Sequence, residues 1–207
     1  VLPAIGDAFV TTHSNVEVRY SFAGSQELVA QVETGVPADV LTLAGTSTLR
    51  TLGEKVGDPV IFARNRLTII VPTGNSAGVT EIADLADPTV KVALAGPEVP
   101  AGIYSAEAFD KAAISVNPVS EESDVRAVIT RVSLGGADAG VVYRTDAAAT
   151  EADIETVPIA RRFNVIASYP AVALVDGKNS NLGQEFVDFL TTDEAQKLLN
   201  EYGFEAP

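Results

Sequence analysis

Between Val16 and Ala44 the spacing of apolar residues changes period twice. "VEVRYSF" (16–22) alternates as a strand does, and Ser25 to about Glu33 then sets Leu28, Val29 and Val32 on one helical face. Gly35-Val36-Pro37 stops that helix, and "DVLTLA" (39–44) returns to strand character. A chain that repeats this switch has few folds open to it. Helices must cover the faces of a mostly parallel sheet, because parallel neighbours need a crossover.

The switch recurs along the whole sequence. An amphipathic helix opens it, with Leu2, Ile5, Ala8 and Phe9 at helical spacing, and Ser47–Leu52 reads as a short helix. "RLTIIVP" (66–72) reads as a buried strand, followed by the polar turn "TGNSAG" (73–78). "VKVALAGPEVPAG" (90–102) gives a strand and a Gly/Pro-rich mouth, then a helix over 103–113. "SDVRAVITRVSL" (123–134) predicts a helix, "AGVVY" (139–143) a strand, and residues 162–177 an extended segment. Two helices close the chain, 182–190 and 193–202, the second ending at Gly203. No linker or repeat separates these elements. Two extended crossings, near 66–71 and 165–174, are candidate hinge strands between two lobes.

Composition removes several function classes. Acidic residues number 28 against 14 basic, a net charge of −14, so the basic footprint of a nucleic-acid binder is missing. With no cysteine there are no disulfides, thiolate metal sites or cysteine nucleophiles. The single histidine, His13, gives no pair for zinc and no base near Ser25; in its polar turn "TTHSN" it is expected to be solvated. Adjacent Glu121 and Glu122 read as a solvated face. No apolar run is long enough to span a bilayer. Methionine is also absent, so the expectation is a processed or truncated product whose targeting segment has gone.

What remains is binding at strand-to-helix mouths. Three are rich in small or uncharged residues: Ala23-Gly24-Ser25, Val99-Pro100-Ala101-Gly102 and Ser123-Asp124-Val125. The first amide groups of a helix lack an intrahelical acceptor, and the helix dipole adds partial positive charge, so such mouths suit anions. Singly, each is also an ordinary helix cap. No phosphate-loop or dinucleotide glycine pattern is present.

Taken in order, "SFAGSQELVAQVETGVPADV" (21–40), "VPAGIYSAEAF" (99–109), "SDVRAVITRVSLGGADAGVVYRTDA" (123–147), "YPAVALV" (169–175) and the terminal "EYGF" resemble the molybdate-binding proteins of bacterial ABC importers. The resemblance covers essentially the whole sequence. It implies an α/β, two-lobed periplasmic-binding-protein (flytrap) fold, each lobe a mostly parallel sheet flanked by helices. The lobes are expected at 1–70 with 168–207 and at 71–167. It implies a monomer that is not an enzyme and has no cofactor. The protein would sit outside the cytoplasm, in the periplasm or on the outer face of the membrane, and deliver molybdate or tungstate to a permease; another oxyanion such as sulfate is the alternative.

Carried over by position, Ser25 binds the anion through its hydroxyl and amide, Ala101 and Val125 give backbone N–H groups, and Tyr143 gives a phenol hydroxyl. No metal is coordinated directly, since the molybdenum is held through its oxygens. The resemblance also puts a strand and an alanine-serine loop, with a further serine ligand, ahead of the opening helix. Neither is among these 207 residues, and without them uncovered ladder groups and weakened binding are expected.

Overall fold

A computed structural model describes residues 1–207 and divides into two compact units. Val1–Arg64 with Ser168–Pro207 form the first, and Asn65–Ala167 the second. The chain leaves the first unit within β2 (Val60–Pro72), earlier than residue 70, and returns within β7 (Ile166–Ala173).

The first unit is built on β1 (Val40–Thr42), β7 and β2, with β1 antiparallel to β7 in the register Leu41 opposite Val172. The period of two in β7 decides its packing. Ala171 and Ala173 face a core of Ile5, Phe9, Phe62, Phe186 and Leu190, where α1 (Leu2–Thr12), α6 (Ser180–Phe189) and α7 (Asp193–Glu201) converge. Val172 and Leu174 face the other way, toward Val29, Leu41, Leu49 and Leu52, under α2 (Ser25–Glu33) and a 3₁₀ helix (Thr48–Lys55). Both faces are therefore covered, as the unbroken apolar run in "YPAVALV" requires.

In the second unit the strand order is β6 (Ile154–Pro158), β2, β5 (Ala139–Tyr143), β3 (Val92–Ala95), β4 (Ser120–Glu122). The β3–β4 and β3–β5 pairs are parallel. The β2–β5 and β2–β6 pairs are antiparallel. Parallel pairing thus holds where helices connect the strands, and the long crossing strand β2 makes the sheet mixed. The helices α3 (Pro100–Ala112) and α4 (Val125–Ser133) pack on β3 and β5. Gly140 lets α4 come close, since a Cβ there would lie 2.7 Å from Val128 Cγ1.

Several local expectations change. "VEVRYSF" forms no ladder: Val16 and Val18 pack against the first core on alternate positions, but no strand pairs with them. The helix predicted from Ile103 begins at Pro100, where proline's missing N–H costs nothing. Four elements were not predicted: α5 (Arg144–Ala149), β6, the short β4 and a 3₁₀ helix (Ile82–Ala86). Helix α5 is barely more than a turn, and β6 is a mostly exposed edge with a polar sequence, so neither carries a strong period. In β4, Glu121 and Glu122 are strand residues, and Glu122 accepts a 3.0 Å bond from Arg131, so they do not form a merely solvated face. His13 is not simply solvated. Its Nδ1 lies 2.9 Å from the Phe9 carbonyl oxygen, its Nε2 lies 3.1 Å from Glu185, and its ring stacks on Phe9.

Candidate functional site

Ser25 is the first residue of α2, after Gly24 in an extended N-cap conformation. It is buried, and its Oγ accepts the Ala44 amide at 3.1 Å, just beyond β1. That bond occupies a lone pair and leaves the hydroxyl proton to be donated elsewhere. Gly24 offers no side-chain cap to the first turn of α2.

Ala101, Val125 and Tyr143 all belong to the second unit, and the topology explains their grouping. Strands β3, β4 and β5 run parallel, so their carboxyl ends lie along one edge of the sheet. Ala101 follows β3, Val125 follows β4, and Tyr143 ends β5. This edge is where open α/β sheets take ligands.

Ala101 is the second residue of α3 and almost wholly buried. Pro100 has no N–H, and the first intrahelical bond is Ile103 N–H to Val99 O at 3.0 Å. The helix therefore provides no acceptor for the Ala101 and Gly102 amides. Gly102 fixes the height of this turn, because its Cα faces the Gly96 and Ala95 carbonyls closely.

Val125 is the first residue of α4. Asp124 caps the helix, its Oδ1 accepting the Ala127 amide at 2.9 Å, which leaves the Val125 amide without a helical partner. Tyr143 is buried at the junction of β5 and α5, in the interior of the strand order and not at a sheet edge. Leu67 of β2 pairs with it, and two residues on, the Thr145 hydroxyl accepts a 2.7 Å bond from Asn65 Nδ2.

Sequence reasoning missed the charge beside this edge. Asp146, in the first turn of α5, has its carboxyl pushed up to about 6, chiefly by burial and further by Asp124, with Arg126 pulling the other way. "YRTDA" entered only as the end of the matched stretch 123–147; the signal would have been an acid one helical turn past a candidate ligand. A carboxyl raised by folding works against the fold once charged. The penalty is complete above about pH 6 and fades as pH falls toward 3.8. Asp146→Asn is therefore expected to gain roughly 2 kcal/mol at about pH 8 and nothing near pH 4, read by urea denaturation at both.

Residues 1–205 match the family described as bacterial extracellular solute-binding protein. The chain belongs to that family. Membership makes it a binding component rather than an enzyme and places it outside the cytoplasm; no helix is long and apolar enough to cross a membrane. Among relatives of this solute-binding protein, the molybdate-binding protein ModA of Mycobacterium tuberculosis is 33% identical over 206 residues, covering 98% of this chain and 79% of that one. ModA of Haemophilus influenzae is 31% identical, covering 92% and 79%. The periplasmic molybdate-binding protein of Azotobacter vinelandii shares the fold, with a TM-score of 0.78 at 17% identity over 100% of this chain and 94% of that one. So does the sulfate-binding protein SubI of M. tuberculosis, with a TM-score of 0.72 at 19% identity, covering 88% and 74%. The fold alone therefore does not choose between these anions.

Proposed function

We propose that this solute-binding protein is the molybdate-binding component of an ABC importer. It works as a monomer, in the periplasm or on the outer face of the membrane, and passes its ligand to a membrane permease. In this reading Ser25, Ala101, Val125 and Tyr143 are the hydrogen-bond donors to a tetrahedral dianion, molybdate or tungstate. The observation that carries this reading is the identity to molybdate-binding relatives over nearly the whole chain.

Physical chemistry supports it. A hydrogen bond to a charged acceptor contributes roughly 1.5–3 kcal/mol, so several neutral donors suffice to hold a dianion. Fixed donors also gauge radius. The smaller sulfate leaves some of them unmet, and unmet buried donors are the source of discrimination. The net charge of −14 does not forbid binding, because its distant members are screened beyond about 8 Å at physiological salt.

Isothermal titration tests the reading. Molybdate and tungstate are expected to bind alike and sulfate about a hundredfold more weakly; equal affinity for sulfate would overturn the ligand assignment. Ser25→Ala should weaken molybdate about ten- to hundredfold. The same change removes the acceptor of the Ala44 amide, so a thermal melt must accompany it. Loss of affinity with a folded protein supports the donor role, and unchanged affinity rejects it.

A further inference from the structure

We propose that Asn65 and Thr145 are positioning residues for the anion donor Tyr143, their side-chain bond setting where β5 ends and so where the phenol is presented. The inference rests on the oxyanion reading above and goes beyond it, since neither residue is among the carried-over ligand positions.

Strands β2 and β5 pair antiparallel from Ile70 opposite Gly140 to Leu67 opposite Tyr143, and there the ladder stops, because Arg144 begins α5. Both main-chain groups of Leu67 are bonded to the Asn164 carboxamide. Leu67 and Tyr143 are therefore the kind of antiparallel pair that exchanges no main-chain bonds. The same register, counted two residues further along each chain, sets Asn65 opposite Thr145. Main-chain pairing has ended at that point, and side chains take it up: Asn65 Nδ2 donates to Thr145 Oγ1 at 2.7 Å. Asn65 Oδ1 accepts the Arg66 amide at 2.9 Å, which holds the carboxamide with its nitrogen toward Thr145. The end of β5 that carries Tyr143 is thus tied to β2 just beyond the last ladder pair.

Asn65 is 2% exposed and Thr145 8%. A buried polar pair adds little stability over an apolar pair of the same shape. What it adds is direction, because a hydrogen bond restricts length and angle as apolar packing does not. An anion site made of fixed donors needs that restriction: the phenol must meet one oxygen at bonding length, and a slack support loses affinity. Asn65 is also the first residue of the second unit, so the same bond ties the chain's entry into that unit to the strand end bearing the donor.

The test uses the whole chain, molybdate titration and a thermal melt of each variant. Thr145 is the residue to change, because Asn65 also serves the Arg66 amide. Thr145→Val removes the hydroxyl at nearly constant shape and should weaken molybdate binding about tenfold. Thr145→Ala removes the same hydroxyl without filling its space and should show the same loss, so either variant carries the test if the other does not fold. Thr145→Ser keeps the hydroxyl and should bind within about twofold of wild type. The deciding measurement repeats Thr145→Val or Thr145→Ala in Tyr143→Phe: with the phenol hydroxyl gone, the change should cost less than about twofold. A loss of undiminished size in that background is a general loosening and overturns the proposal. Wild-type affinity in a folded Thr145→Val or Thr145→Ala overturns it too, as does a Thr145→Ser that binds no better than they do. If neither hydroxyl-free variant folds, the bond holds the fold rather than the donor, and the proposal falls. Failure of the unaltered protein to bind molybdate is a different result and sinks the oxyanion reading, while full affinity in Tyr143→Phe sinks its assignment of Tyr143.

Discussion

Gly102→Ala is expected to destabilise the protein by about 3 kcal/mol or more, although alanine is the better helix former by about 1 kcal/mol. The sign is set by space and not by propensity. A Cβ built on Gly102 would lie 2.1 Å from the Gly96 carbonyl oxygen and 2.5 Å from that of Ala95. Both are backbone atoms with no side chain to swing away. Ala95 ends β3 and is in register with Glu122 of β4, while Gly96 O accepts the Val99 amide at 2.9 Å, so neither can retreat without breaking the sheet edge or the turn. The first turn of α3 must lift instead, carrying the Ala101 amide with it. Urea denaturation and molybdate titration of the same variant should therefore fail together. Glu107→Ala, on the exposed face of the same helix, should change stability by less than about 0.5 kcal/mol. If Gly102→Ala unfolds within 1 kcal/mol or so of wild type, the close approach of helix to strand is wrong.

The reach of the sequence can be judged at such places. Period alone located α2, β3, α4, β5 and the two closing helices, because each has a continuous apolar face. It also marked the three mouths that hold Ser25, Ala101 and Val125, whereas their role as donors is what the resemblance implies. Pairing was harder to read. The strand-like alternation of Val16–Phe22 reports which side chains face the core, but a ladder needs a partner, and alternation says nothing of partners. Gly102 looked like any small residue in a mouth, since its crowding comes from carbonyls several residues earlier in the chain. Asp146 was invisible for a related reason: a carboxyl's pKa is made by what packs around it, and Asp124 and Arg126 lie some twenty residues away along the chain. His13 misled in the opposite sense. A polar turn predicts solvent, and Glu185 and the Phe9 ring supplied contacts that no local pattern encodes.

Asn164→Leu is expected to cost about 4 kcal/mol. The β2–β6 ladder runs from Pro72 only as far as Thr68 opposite Pro158, so the next residue, Leu67, loses that strand as a neighbour. The Asn164 carboxamide replaces it. Its Oδ1 accepts the Leu67 amide at 3.1 Å, and its Nδ2 donates to the Leu67 carbonyl at 2.8 Å. The same Oδ1 accepts the Val165 amide at 2.8 Å, which holds the chain just before β7 begins. Leucine matches the volume but satisfies none of these groups, and a buried amide or carbonyl without a partner costs about 1–3 kcal/mol. The effect should reach the site, because Leu67 is the residue paired with Tyr143. Asn164→Asp separates the contributions: it keeps the acceptor for both amides but turns an oxygen toward the Leu67 carbonyl. Its deficit should shrink as pH falls and the carboxyl protonates, since only the neutral acid can donate to that carbonyl. A deficit that ignores pH would mean that the carbonyl bond contributes little and that Asn164 acts mainly through the two amides.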